Sequence, residues 1–188
     1  MNYEKIKNLN VGSGRKRIEG YANIDVIDWD GNTDIHQDLT DVPYPIKNDQ
    51  LDNIFCGECL EHISFHNVLM VLNEFYRMLK KGGKLTIQVP DCGLMMDYYV
   101  NNEVCRCVNH KDIGDGFKAD FNCQECGGKA KVSKTRWFYA FTGAQKHKYD
   151  AHLTMFTRGI MEEFLRDARF QKIEFKEDIY KIKVSCIK

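Results

Sequence analysis

The stretch Leu9-Asn10-Val11-Gly12-Ser13-Gly14, followed by Asn23-Ile24-Asp25-Val26, constrains the fold more than any other feature of this chain. Ile6 to Val11 reads as a strand running into a Gly-x-Gly turn, and Ala22 to Val26 as a second strand ending in an acid. Strands joined in this way belong to an open α/β sheet, which takes its ligands outside the strand carboxyl ends. Glycine lets the backbone come close to a ligand, and a carboxylate at the next strand tip can accept both hydroxyls of a ribose. In a dinucleotide fingerprint a third glycine follows and the acid comes about 20 residues on. Here Arg17 stands at the third glycine position and Asp25 arrives too early. The roughly ten residues between the strands are near the lower limit for a helical crossover, so a very short helix or a loop is expected there.

Further along, Thr33 to Gln37 reads as a brief third strand, and Pro43 and Pro45 hold a segment that cannot be helical. Leu51 to Cys56 reads as a central strand. Ser64 to Lys80 carries Val68, Leu69, Val71, Leu72, Phe75, Tyr76 and Leu79 at helical spacing. Ser64 can cap its start, and Gly82-Gly83 suits its stop. Lys84 to Val89 alternates as a strand that Pro90 ends, so strand, helix and strand predict a parallel pair. Helices are expected near Leu94 to Val100 and from about Arg158 to Ala168. Phe170 to Phe175 and Ile179 to Ile187 read as a hairpin at the sheet edge.

The short spacing to Asp25 fits S-adenosylmethionine better than a dinucleotide. In the same order as in class I S-adenosylmethionine-dependent methyltransferases stand Asn10 to Gly14, Asn23 to Val26, Asp38-Leu39 ahead of Pro43-Tyr44-Pro45, Leu51 to Phe55 leading to Leu60-Glu61-His62-Ile63, and Arg77 to Leu85 followed by Val89-Pro90. The chain resembles that family over residues 6–90 and again over 154–188. The resemblance implies a Rossmann-like α/β sheet of order 3-2-1-4-5-7-6 with the last strand antiparallel. It implies that Gly12, Ser13 and Gly14 line the methionine and ribose portion, that Asp25 holds the ribose hydroxyls with Val26 against the adenine, and that Asp38 and Leu39 read the adenine amino group. The backbone of Cys56, Gly57 and Glu58 would face the methionine amine. Asn10 stands where the family often has an acid. Glu61 and His62 follow the fourth strand and are expected to brace the loop–helix junction, with a substrate contact from His62 as the alternative. Cys56 and Cys59 fall inside the strand-to-helix turn, where small buried thiols are expected.

The formal net charge is zero and the isoelectric point is about 7.0, which argues against bulk polyanion binding. No apolar run approaches the roughly 20 residues that span a bilayer. The first residues lack the apolar stretch of a signal peptide. Eight cysteines without such a signal point to thiols or metal ligands in a reducing, cytoplasmic setting. The whole, residues 1–188, is expected to be one domain with a cysteine-rich insertion at 102–135. Cys105-Arg106-Cys107 and Cys123-Gln124-Glu125-Cys126-Gly127-Gly128 look like a zinc ribbon, with His110 as an alternative partner for Cys107. Four soft ligands close a structural zinc, and metal binding could supply folding energy to a segment poor in apolar residues.

Lys129, Lys131, Lys134, Arg136, Lys146 and Lys148 interleave with Trp137, Phe138, Tyr139 and Phe141 and with no acid. Such a segment can bind a sugar, a base or a phosphorylated acceptor, or can be a solvated loop anchored by its aromatics. His147 and His152 are the general-base candidates, with Asp150 to orient one of them and Tyr149 to position the acceptor. The expected activity is methyl transfer to an oxygen or nitrogen, with a saccharide or another small polar or anionic molecule as acceptor. Two alternatives stand beside it: a degenerate cofactor fold that docks nucleic acid or protein, and transfer of another group from the same cofactor or a nucleotide.

Overall fold

The computed structural model describes residues 2–101, 104, 105, 123–125, 127, 129, 132, 133, 137, 138, 141–178 and 180–188. Its core is a seven-stranded sheet made of β1 (Asn8–Val11), β2 (Ala22–Asp25), β3 (Ile35–His36), β4 (Leu51–Gly57), β5 (Leu79–Pro90), β8 (Gln171–Lys176) and β9 (Lys181–Ile187). The spatial order is β3-β2-β1-β4-β5-β9-β8, with β9 antiparallel to both its neighbours. Numbered by the strands of this sheet alone, the order is the expected 3-2-1-4-5-7-6. Two short strands, β6 (Val104–Cys105) and β7 (Val132–Ser133), pair with each other outside the sheet.

The first five strands are parallel, so their carboxyl ends open on one edge. No helix joins β1 to β2, as the spacing predicts. Asparagines hold the connection instead. The Asn10 amide donates to Asn23 Oδ1 at 2.9 Å and to the Lys16 carbonyl at 3.0 Å. Asn23 in turn donates to Asn32 O at 2.9 Å, and Asn32 donates to Gly14 O at 2.9 Å. Arg17 reaches both oxygens of Asp34 at 3.0 Å, and Asp34 accepts from the Asn23 amide. Asn10 therefore ties β1 to β2 and fixes the glycine turn, a task an acid could not do as donor.

Helix α1 (Phe65–Met78) buries Val68, Val71, Leu72, Phe75 and Met78 on its periodic face. It stops two residues before the sequence predicts. The carbonyls of Arg77 and Met78 accept from the amides of Asp49 and Gln50, and Leu79 already pairs with Leu51 in the sheet. Gly82-Gly83 therefore lies inside β5 and not at the helix stop: a Cβ on Gly83 would meet the Lys80 and Leu51 carbonyl oxygens at 2.9 and 3.1 Å. Helix α3 (Arg158–Asp167) is capped by the Thr157 hydroxyl and packs beside α1 through Phe65 and Phe164, whose rings lie 5.1 Å apart.

Helix α2 (Cys92–Val100), capped by Asp91, carries a second small apolar cluster with Val104 and Phe141. Trp137 closes it, donating to Met95 O at 2.9 Å and stacking on Tyr99 at 4.7 Å. Trp137 and Phe141 are thus anchors that fasten their own segment to α2. Among the described residues no helix is long and apolar enough to cross a membrane.

Candidate active site

A cavity of about 640 Å³ lies at the carboxyl ends of the parallel strands, within the roughly 300–1,000 Å³ that pockets for small molecules occupy. The strand tips build one side of it. Asp25 ends β2, nearly buried, and accepts from the Gly14 amide at 2.8 Å through Oδ2 and from the Ile27 amide at 2.9 Å through Oδ1. Each oxygen keeps a second lone pair. Asp38 accepts from both the amide and the hydroxyl of Thr40 at 2.8 Å, and both bonds load Oδ1.

The two glycines of the turn differ. Both have positive φ, +60° at Gly12 and +53° at Gly14. A Cβ on Gly12 would strike Cys59 Sγ at 2.1 Å, so its close approach is to the protein itself. A Cβ on Gly14 would meet nothing within 4 Å, and Gly14 lines the cavity. This cradle, flanked by two carboxylates, fits a nucleoside with a free ribose diol.

Of the residues expected to hold the cofactor, Gly12, Gly14, Asp25, Val26, Asp38, Leu39 and Glu58 line the cavity. Ser13, Cys56 and Gly57 lie off the lining: the Ser13 hydroxyl is buried without a partner, and the Cys56 side chain is buried in the core. The Cys56–Cys59 pair is buried as expected. A hydrogen bond from Cys56, then burial, pushes the Cys59 thiol well above its ordinary value, which disfavours the thiolate.

The rest of the lining includes residues far along the chain. His147, Lys148, Tyr149 and Asp150 all line the cavity. His147 stands exposed beside Trp29, ring centroids 5.7 Å apart, and Arg15 covers the Trp29 ring at 4.9 Å. Asp150 accepts from the Lys146 amide at 3.0 Å, and among the described hydrogen bonds its carboxylate orients neither histidine. His152 lies off the lining and instead packs edge-on against His62, centroids 4.9 Å apart.

His62 lines the cavity, and Glu61 is buried behind it. The Glu61 carbonyl accepts from the Leu153 and Thr154 amides at 2.7 and 3.1 Å, so this residue does brace the junction with its backbone. Of its carboxylate, Oε2 is buried without a hydrogen-bond partner, while the backbone amides of Glu61 and Cys59 and the Lys181 charge favour the ionised form. Burial, reinforced by the Glu58 charge, raises the Glu61 carboxyl well above the usual carboxylate range. Burial, and then His152, lowers the His62 imidazole. The sequence reading missed Trp29, whose place just after the β2 acid was the available signal. It also missed the His62–His152 meeting, which no local pattern announces.

In the insertion, Cys105 and Cys123 bring their sulfurs to 3.6 Å, with a Glu125 oxygen 3.3 Å from Cys105 Sγ. Cys107, His110 and Cys126 lie outside the described residues.

Comparison with known proteins agrees with this construction. The family model described as methyltransferase domain matches residues 11–87, from the end of β1 into β5. A search of curated proteins finds no match. Among solved structures, an S-adenosylmethionine-dependent methyltransferase from Archaeoglobus fulgidus superposes with a TM-score of 0.58 at 12% identity, covering 99% of this chain and 88% of that one. One from Methanosarcina mazei gives 0.54 at 17% identity, with 100% and 95% covered. The 1,6-didemethyltoxoflavin-N1-methyltransferase of Burkholderia thailandensis, solved with 1,6-didemethyltoxoflavin and S-adenosylhomocysteine, gives 0.55 at 14% identity, with 96% and 70% covered. At these identities the likeness speaks for the fold alone.

Proposed function

We propose that this chain is an S-adenosylmethionine-dependent methyltransferase and that it methylates an oxygen or nitrogen of a small polar acceptor, with a saccharide as first candidate. The observation that carries the reading is the shared cavity. Carboxylates and glycines of the strand tips share one lining with His147, Lys148, Tyr149 and Asp150. When bound, S-adenosylmethionine supplies an electrophilic methyl group on a sulfonium. Asp25 would hold its ribose hydroxyls, Asp38 and Leu39 its adenine, and the Gly12–Gly14 turn and Glu58 its amino-acid portion. Trp29 and Tyr149 bring aromatic rings to the lining, with Arg15 over the first at 4.9 Å and Lys148 over the second at 4.5 Å, a combination that suits a sugar or an anionic acceptor. The Burkholderia relative is named for methylating a small molecule, which is in keeping with this class of acceptor.

The chain's own contribution is alignment and exclusion of water. His147 is the base candidate that reaches the cavity, and His152 would act only from behind His62. The test is calorimetry with S-adenosylhomocysteine, followed by product mass on a panel of saccharides and amines. Micromolar binding that Asp25→Ala removes is the expected result. A chain that ignores the compound at millimolar strength overturns the reading.

We also propose that Cys105, Cys107, Cys123 and Cys126 hold a structural zinc, with His110 or Glu125 as a possible replacement for one thiolate. The 3.6 Å between Cys105 and Cys123 supports it, because thiolates about 2.3 Å from a tetrahedral zinc sit roughly 3.8 Å apart. One zinc per chain by mass spectrometry, lost in Cys123→Ser, is the expected outcome; zinc-free native protein would rule it out.

A further inference from the structure

We infer that Glu61, His62 and His152 form a second metal site, a two-histidine, one-carboxylate set for a divalent cation in the wall of the cavity. One ligand atom from each lies within 4.8 Å of the other two. Ligands about 2.0–2.2 Å from a divalent ion sit roughly 3.0–3.4 Å apart, so small side-chain rotations close the set. Three observations separate this cluster from a chance meeting of polar groups.

The first is the carboxylate. Glu61 is 2% exposed, and its Oε2 finds no hydrogen-bond partner. A buried carboxylate is ordinarily paired, hydrogen-bonded or bound to a metal. The backbone amides of Glu61 and Cys59 serve this carboxylate without reaching Oε2, and Lys181, whose charge acts on it, is engaged with Glu58 at 3.3 Å. The second is the His62 tautomer. Its Nδ1 lies 3.2 Å from the Ala151 carbonyl, which can only accept. Nδ1 therefore carries the proton and Nε2 keeps its lone pair. Metal-bound histidines commonly use this arrangement, with the second ring nitrogen donating to a backbone carbonyl. The third is the backbone that assembles the set. The Glu61 carbonyl accepts from Leu153 and Thr154, and the Thr154 hydroxyl donates to Ile63 O at 2.7 Å. These bonds hold the segment after His152 against the turn that carries Glu61 and His62, across about 90 positions of sequence.

The donor set states the class of ion. Two imidazoles and a carboxylate suit a borderline first-row divalent cation, such as zinc, iron(II), cobalt or manganese. Three protein ligands leave coordination positions open. Because His62 belongs to the cavity wall, an open position on its side faces the acceptor space. There the ion would hold the acceptor's oxygen or nitrogen through a lone pair. An acceptor hydroxyl held this way gives up its proton to solvent water more readily, and the electron pair stays on oxygen. His152 then serves as a ligand, with no need for it to act as a base. This use of the site rests on the methyltransferase reading; the site itself does not.

The experiment uses the full chain with its zinc content already measured. Free Mn2+ is counted by electron paramagnetic resonance during titration, and Co2+ binding is followed optically, since a nitrogen–oxygen site lacks thiolate-to-cobalt charge-transfer bands. One bound Mn2+ per chain is expected, weakened about tenfold or more by His152→Ala and by Glu61→Gln, and unchanged in Cys123→Ser. Failure to bind either ion at millimolar strength, or equal binding in the wild type and both variants, overturns the site. Should Glu61→Gln fail to fold, His152→Ala decides alone. Calorimetry with S-adenosylhomocysteine on the same samples separates the two readings. Nucleoside binding without Mn2+ defeats only the metal site, and Mn2+ binding without nucleoside defeats only the cofactor assignment.

Discussion

Gly12 and Gly14 sit two residues apart with the same left-handed backbone, and an alanine at each position meets a different neighbour. At Gly12 the new methyl collides with Cys59 Sγ as well as straining φ. Gly12→Ala is expected to lower stability by roughly 2–4 kcal/mol, the strain and overpacking together. At Gly14, which lines the cavity, the methyl meets no protein atom within 4 Å, so Gly14→Ala is expected to cost about 1 kcal/mol of stability and to weaken S-adenosylhomocysteine binding far more in proportion. Urea unfolding paired with calorimetry on the two variants reads both effects; equal loss of stability would contradict the assignment of the two glycines. Asp25 belongs to the same scale. Asp25→Ala leaves the Gly14 and Ile27 amides without their acceptor, so the variant is expected to lose roughly 1–3 kcal/mol in unfolding along with its affinity for the nucleoside.

The β1–β2 connection shows what an element can be when no helix fits. The Asn23 side chain bonds to Asn10, Lys16 and Asn32, so Asn23→Ala is expected to cost about 2–3 kcal/mol by chemical denaturation. A smaller loss, within a few tenths of a kcal/mol, would mean that water replaces those bonds. At the other edge of the sheet, Asp178 closes the β8–β9 hairpin. Burial alone would raise its carboxyl, but the Lys183 ammonium at 2.6 Å and the amides of Tyr180 and Lys181 outweigh it and hold the group below its ordinary value. A lowered acid adds stability that is full above its unfolded pKa of about 4 and is lost as pH falls through the folded value. Unfolding profiles of wild type and Asp178→Asn should therefore converge in strong acid and separate above about pH 4, with the wild type the more stable. Elements of this kind were legible wherever a local period carried the signal. The strands, the missing first helix and the face of α1 follow from spacing, whereas the order of the strands followed only from the family resemblance. The end of α1 did not, because its last carbonyls are satisfied by amides of Asp49 and Gln50, nearly 30 residues upstream. Nor did the role of Trp137 and Phe141, since basic-aromatic composition reads the same whether the rings face a ligand or α2.

At the scale of the whole molecule, the cavity joins two stretches that no sequence window contains: the strand tips up to Asn67, and His147 to Leu153. Seven of the ten residues expected for the cofactor meet there because the sheet's topology places every parallel carboxyl end on one edge. The later stretch is brought in by the bonds of Leu153 and Thr154 to Glu61, which a linear reading has no means to see. This division predicts separable effects. His147 and Lys148 are exposed, and neither has a neighbour whose packing depends on it for the core. His147→Ala is therefore expected to fold normally and keep its nucleoside affinity within about twofold, while kcat falls by about 100-fold or more if its imidazole accepts the acceptor's proton. Lys148→Ala should instead raise KM for an anionic acceptor and leave a neutral one nearly unaffected, since a single solvated cation acts mainly by attraction. Steady-state kinetics with one charged and one neutral acceptor, set beside calorimetry, resolves the two sides. Loss of nucleoside affinity in either variant would show that the later stretch belongs to the cofactor's side of the cavity, and that the acceptor enters elsewhere.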